Sequence, residues 1–220
     1  MKLKAILTGA TGMVGEGVLH ECLLNPDVEE VLIINRRPSG VTHQKLREII
    51  HADFFDIRSL RDQVKNYDAC FFCLGVSSIG MKEQEYSKVT YDLTLGFAQT
   101  LAEVNPQMTF CYISGAGTDS TEKGRSMWAR VKGRTENALL RLPFKKAFMF
   151  RPGYIHPTKG LKNILRPYKW FAWMYPLWKL VFPKFVCTNR QLGLAMINSA
   201  KLGYEKPILE VPDIIRLSTM

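Results

Sequence analysis

No stretch of the 220 residues comes near the ~18 consecutive apolar side chains that a membrane-crossing helix needs. The opening Met1-Lys2-Leu3-Lys4 reaches Gly9 without a long apolar core, so a secretory leader is not expected. Cysteine is scarce and odd in number, with Cys22, Cys70, Cys73, Cys111 and Cys187 scattered through apolar surroundings. A disulfide framework is therefore not expected, and a reducing cytoplasm is the simplest home. Cys70 and Cys73 have C-x-x-C spacing, but they lie in Ala69-Cys70-Phe71-Phe72-Cys73-Leu74, which reads as a buried strand. Strand geometry sends side chains three apart to opposite faces. The four histidines, His20, His43, His51 and His156, lack metal-ligand spacing, so no metal is expected. Internal repeats and low-complexity linkers are also missing. Apolar residues make up 46% and charged residues 23%, which excludes collagenous and largely disordered chains. The length suits a single domain, 1–220.

Acidic residues are short in one region only. Residues 121–190 carry 16 Lys and Arg against 2 Asp and Glu, while the other 150 carry 14 against 18. The overall +10 is therefore concentrated, and such a field draws anions: phosphate, nucleic acid or lipid headgroups.

Short apolar runs alternate with helical patterns over the first 155 residues. Strands are expected at Leu3–Leu7, Glu30–Ile34, Leu46–His51, Asp68–Leu74, Met108–Ile113 and Lys146–Phe150. Helices are expected at Gly15–Leu24, Ser59–Lys65, Glu83–Val104, Met127–Leu142 and Gln191–Lys201. Near-continuous apolar strands are the mark of burial on both faces. The order implies an α/β fold, a doubly wound parallel sheet of Rossmann type, with a small C-terminal helical cap over 156–190.

Thr8-Gly9-Ala10-Thr11-Gly12-Met13-Val14-Gly15 follows the first strand and opens the first helix. The spacing is G-x-x-G-x-x-G. One glycine permits the tight turn, one lets backbone approach a pyrophosphate, and one lets helix and strand pack closely. The helix N-terminus then offers unpaired N–H groups to phosphate.

This motif resembles that of the atypical short-chain dehydrogenase/reductase family, on its NAD(P)-binding, epimerase-like branch. The likeness continues at His51-Ala52-Asp53-Phe54, Cys73-Leu74-Gly75, Ile113-Ser114-Gly115, Val131-Lys132-Gly133 and Arg151-Pro152-Gly153. It covers roughly residues 1–157. The resemblance implies that Gly9, Thr11, Gly12, Met13, Val14 and Gly15 hold the pyrophosphate. It further implies that Asp53 meets the adenine amino group and Phe54 flanks the ring. Leu74, Gly75 and Val76 would line the adenosine wall. Pro152, Gly153, Tyr154 and Ile155 would close over the nicotinamide.

The second strand ends in Asn35-Arg36-Arg37, where an NAD-selective chain would carry a carboxylate for the ribose 2′-hydroxyl. Two guanidiniums there suit a 2′-phosphate, so NADP(H) is expected over NAD(H). The bland alternative is two solvated loop arginines.

Catalytic members of the family use Ser with Tyr-x-x-x-Lys. Ser114 and Lys132 stand in place, and the resemblance implies that Lys132 would also hold the nicotinamide ribose. Four residues before Lys132 stands Trp128, whose indole has no titratable proton near neutral pH. Three readings stay open. Another phenol, Tyr91 or Tyr154, could supply the proton; hydride alone could pass, to a flavin or quinone; or the chain could bind NADP(H) as a sensor without turnover.

Arg166 to Phe185 reads RPYKWFAWMYPLWKLVFPKF, rich in aromatics, lysine and proline. A lid over a small-molecule substrate or a homodimer face is one reading. Docking to an anionic membrane surface is another, which would make the protein peripheral to a membrane. Nucleic acid is disfavoured because no recognised motif accompanies the aromatics.

Overall fold

The computed structural model describes residues 2–163 and 175–220. The first part lays down β1 (Leu3–Thr8), α1 (Met13–Leu24), β2 (Val28–Asn35), β3 (Leu46–Ile50) and β4 (Ala69–Phe72). Two helical pieces follow, α2 (Glu83–Ser87) and α3 (Leu93–Val104), joined by a π-helical turn over Lys88–Asp92. Then come β5 (Thr109–Ile113), α4 (Met127–Leu139), β6 (Lys146–Arg151) and β7 (Tyr154–His156). The chain finishes with α5 (Tyr175–Val181), β8 (Val186–Thr188), α6 (Asn189–Leu202), β9 (Ile208–Glu210) and α7 (Val211–Leu217).

Seven parallel strands form the main sheet in the order β3-β2-β1-β4-β5-β6-β9. Period-two alternation divides the core cleanly. Ala5, Leu7, Val31, Ile33, Ala69, Phe71, Phe148 and Phe150 point to the side covered by α1, α6 and α7. Ile6, Leu32, Ile34, Cys70, Phe72, Phe110, Tyr112 and Met149 point to the side covered by α3 and the end of α4. Cys70 and Cys73 fall on opposite sides of the sheet, and all five cysteines are free. The order turns back between β1 and β4, and open α/β sheets bind ligands in the crevice at such a switch, beyond the strand C-termini.

Several expected elements are corrected. Ser59–Lys65 is not a helix but a single 3-10 turn at Arg58–Leu60 followed by further turns. So few residues seldom sustain a helix alone, and burial of Leu60, Val64 and Tyr67 holds this path instead. The helix from Met127 stops at Leu139, because residues leading into Pro143 disfavour helical backbone. The C-terminal region is not simply a helical cap. β7 and β8 pair as a separate two-stranded parallel sheet, and β9 joins the main sheet beside β6. α6 packs on α1 within the core, through Leu192, Ala195, Met196 and Ile197. Residues 164–174, which hold Trp170 and Trp173 of the aromatic segment, lie outside the described residues.

One ion pair ties α4 to the sheet. Glu136 is fully buried, and both its oxygens accept from the Arg151 guanidinium, one from Nε at 3.0 Å. Arg151 also reaches Glu210 at 3.4 Å, which links β6 to the last strand. Removing one partner of such a pair leaves a buried charge uncompensated. Glu136→Ala is therefore expected to cost about 3 kcal/mol or more in urea denaturation, against a wild-type control.

Candidate functional site

The β1–α1 turn is built by close approach. Gly9 has φ +72°, and a Cβ there would fall 2.7 Å from the Cys73 carbonyl oxygen. A Cβ at Gly15 would lie 2.1 Å from the Gly9 carbonyl oxygen, so α1 packs against the turn itself. Gly12 caps the helix, its own N–H donating to the Gly9 carbonyl at 2.9 Å. Among the described residues, the N-cap Gly12 gives the first turn of α1 no side-chain cap bond. The leading N–H groups of a helix have no intrahelical acceptor and are open to a ligand anion.

A cavity of about 550 Å³ opens beside this turn. It is lined by Gly9, Thr11, Ile34, Asn35, Arg36, Arg37, Pro38, Phe54 and Leu74. A narrower slot of about 160 Å³ adjoins it, where Arg36 and Asp53 meet Phe55, Leu74, Gly75 and Val76. Residues expected from three separate segments thus converge on one crevice. A Cβ at Gly75 would meet open space, so the wall there is unobstructed. The glycine turn, two arginines and an apolar slot thus meet in one crevice.

The placement sharpens individual roles. Asp53 turns its own loop by accepting from the Phe55 N–H at 2.9 Å. Phe54 is 4% exposed and stacks on Phe97 at 6.0 Å, so it reaches the slot only from within the core. Phe55 is the ring that stands exposed beside it. Met13 is buried, and its carbonyl accepts from Asn189 of α6 at 3.0 Å. Val14 packs against the α1-side core.

One contributor was not foreseen. Glu48 of β3 accepts from the Asn35 amide at 2.9 Å and from the Ser39 N–H at 2.8 Å. It bridges both ends of the Arg36-Arg37-Pro38 loop. Its role depends on the β2–β3 register, Ile33 opposite Glu48, which residue types alone do not reveal.

At the other end, Lys132 is 8% exposed and donates to the Ile113 carbonyl at 3.1 Å. Its ammonium lies 4.8 Å from the Tyr112 ring centre. Burial lowers its pKa to about 8, with Glu136 opposing the shift. Trp128 stands one turn earlier on the same helix face. Its indole covers the loop after β5: a Cβ on Gly117 would meet the ring at 3.7 Å and one on Gly115 at 3.9 Å.

The Ser114 hydroxyl donates to the Phe150 carbonyl at 3.1 Å, which orients it at the end of β5. Pro152 adjoins this loop, its carbonyl accepting from the Ala116 N–H at 2.8 Å. Gly153 is required by the Phe185 carbonyl, which a Cβ would meet at 2.2 Å. Ile155 points into the core and offers the cleft no side chain, because alternation along β7 gives it the inner face. Tyr154 packs edge-on against Trp178 at 4.8 Å, and His156 stacks on Tyr175 at 4.0 Å.

The model of the NAD dependent epimerase/dehydratase family matches residues 5–121. The chain belongs to this family. Among curated relatives, a mitochondrial fmp52 protein of Emericella nidulans is 30% identical over 156 residues, which cover 68% of this chain and 65% of that protein. The chain thus spans just under two thirds of that relative's length. Protein HTATIP2 of Rattus norvegicus is 25% identical over 168 residues, 76% of this chain and 67% of the relative. A solved UDP-N-acetylglucosamine 4-epimerase from Methanobrevibacter ruminantium superposes with TM-score 0.68 at 15% identity, over 95% of this chain and 76% of that one. MoeE5 in complex with UDP-glucose and NAD gives 0.67 at 15% identity, over 98% and 81%. These structural likenesses establish the Rossmann-type fold. NAD(P) binding follows from the family.

Lys132 yields a prediction for the epimerase-family site. Its ammonium releases its proton near pH 8 in the folded chain and near 10.5 when unfolded. Unfolding therefore takes up a proton between these values, and the buried charge destabilises the fold most below about pH 8. Lys132→Met is expected to raise stability by up to roughly 3 kcal/mol at neutral pH. The gain over wild type should shrink as pH rises toward about 10.5. Thermal unfolding of both proteins across that range checks it; a destabilised variant at neutral pH would contradict it.

Proposed function

We propose that this chain is an NADP(H)-binding oxidoreductase of the atypical short-chain dehydrogenase type whose hydride step takes no proton from the helix position that usually holds tyrosine. The observation that supports it most is the 550 Å³ cavity lined by Asn35, Arg36 and Arg37 together with Gly9 and Thr11 of the turn that leads into α1. No carboxylate stands at positions 36–38 directly after β2, and the one that reaches this loop, Glu48, is engaged by the Asn35 amide and the Ser39 N–H. The two guanidiniums would hold that phosphate, with Glu48 fixing their loop. The first-turn amides of α1 would take the pyrophosphate. Asp53, Phe54, Leu74, Gly75 and Val76 would form the adenosine slot, and Lys132 would hold the nicotinamide ribose. A bound nicotinamide supplies or accepts a hydride.

Around that position this chain's residues chiefly orient and exclude water. Trp128 walls the cleft over Gly115 and Gly117, and its indole N–H can donate a hydrogen bond but cannot act as acid or base near neutral pH. Hydride acceptors that take their proton from solvent, such as quinones and flavins, fit this arrangement better than unactivated carbonyls. A second reading, an NADP(H) sensor without turnover, is favoured by the Ser114 hydroxyl donating to the Phe150 carbonyl. Five free cysteines suit a reducing compartment such as the cytoplasm.

Two measurements test this. In titration calorimetry, Arg36→Ala/Arg37→Ala should weaken NADPH by about tenfold or more and leave NADH little changed, as expected for losing charge-assisted contacts. Equal losses for both cofactors would refute the 2′-phosphate assignment. NADPH oxidation against a panel of quinones, flavins and aldehydes should proceed with the first two classes and vanish in Lys132→Ala. Tight binding with no oxidation of any of them would favour the sensor.

A further inference from the structure

Most exposed large apolar side chains of the described residues are scattered singly, as in any globular protein. Five are not. Leu177, Leu180, Val181, Phe182 and Phe185 are 53, 80, 55, 58 and 52% exposed within nine consecutive residues of α5 and the turn after it. The fold does not need their outward faces. α5 already turns Tyr175 and Trp178 inward, onto His156 and Tyr154 of β7. The turn is fastened from below, because the Phe185 carbonyl accepts the Tyr154 N–H at 2.9 Å and presses against Gly153. An apolar ridge is thus mounted on a fixed base and presented to solvent.

Its electrostatic setting narrows the occupant. Lys179 and Lys184 are exposed within the ridge itself. From residue 157 to residue 190 the chain has seven Lys and Arg and not one Asp or Glu. A second copy meeting the same ridge would bring like charge against like, with no acidic partner in the segment. For nucleic acid the three aliphatic side chains, Leu177, Leu180 and Val181, would be apolar surface with no base to stack on, whereas a bilayer buries aliphatic and aromatic side chains alike. A bilayer surface satisfies both features: apolar side chains enter the headgroup–acyl boundary while lysines stay at the level of anionic headgroups.

We propose that the outward face of α5 and its following turn docks the protein onto an anionic lipid surface. Vesicle flotation tests it, with phosphatidylcholine vesicles compared with phosphatidylcholine containing phosphatidylserine. Wild type is expected to float with the serine-lipid vesicles and far less with choline lipid alone, and added salt should weaken the binding. Leu180→Ser/Phe182→Ser should lower partitioning by about tenfold or more. Lys179→Glu/Lys184→Glu should abolish the preference for anionic vesicles and leave weak binding to neutral ones. Thermal midpoints within a few degrees of wild type would show that the variants fold, since these side chains are exposed. The proposal is overturned if wild type ignores anionic vesicles, or if Leu180→Ser/Phe182→Ser floats as wild type does. It is equally overturned if the ridge proves to be a contact between copies: a dimer in analytical ultracentrifugation that Leu180→Ser dissolves, with no vesicle binding.

Discussion

α1 begins hard against the Gly9 carbonyl, and the rest of the site depends on that contact. With a Cβ at Gly15 the helix would be pushed off the turn. With one at Gly9 the turn would collide with β4. Both glycines let β1, α1 and β4 meet at one point, and that point is where the strand order reverses. The turn that starts α1 therefore lines the crevice through Gly9 and Thr11, beside Asn35 at the end of β2 and Leu74 just after β4. With glycine at the N-cap, the helix start forgoes only about a few tenths of a kcal/mol of local stability relative to a side-chain cap. A phosphate bound there would supply the missing acceptor.

The opposite end of the cleft carries its own cost. Lys132 is held with its ammonium buried between the Ile113 carbonyl and the Tyr112 ring, at a pKa lowered to about 8. Buried charge without a close carboxylate is unfavourable for folding, and Glu136 is occupied by Arg151. Such positions recur where binding or catalysis requires them. Trp128, one turn earlier, replaces a proton donor with a flat apolar wall. Under the proposed function, Lys132 would hold a ribose and Trp128 would shield a ring, with proton transfer left to solvent or substrate.

Much of this was legible in the residues because both sheet faces are buried. Val31–Ile34 and Ala69–Phe72 read as strands since water touches neither side. Gly9, Asn35-Arg36-Arg37 and Leu74-Gly75-Val76 line the crevice and its slot, and each was legible as a candidate because it sits at a strand end, where the fold collects such residues. What escaped notice was set by distant pairing. β9 has only three residues and is a strand solely because β6 offers its edge. Glu48 matters through the register of β3 on β2. Ser114 has the expected position, but its hydroxyl bond to Phe150 follows from how β5 and β6 align. Ser59–Lys65 has helical spacing yet takes turns, because its apolar residues fill the space under α3.

The central claim is that a phosphorylated dinucleotide lies against the first turn of α1 with its adenosine end between β2 and β4. A crystal structure of the chain grown with NADPH tests it most directly. The account predicts density for the pyrophosphate at the amides of Met13 and Val14 and for the 2′-phosphate at Arg36 and Arg37. An empty crevice at saturating NADPH, or a dinucleotide bound elsewhere on the surface, would contradict it.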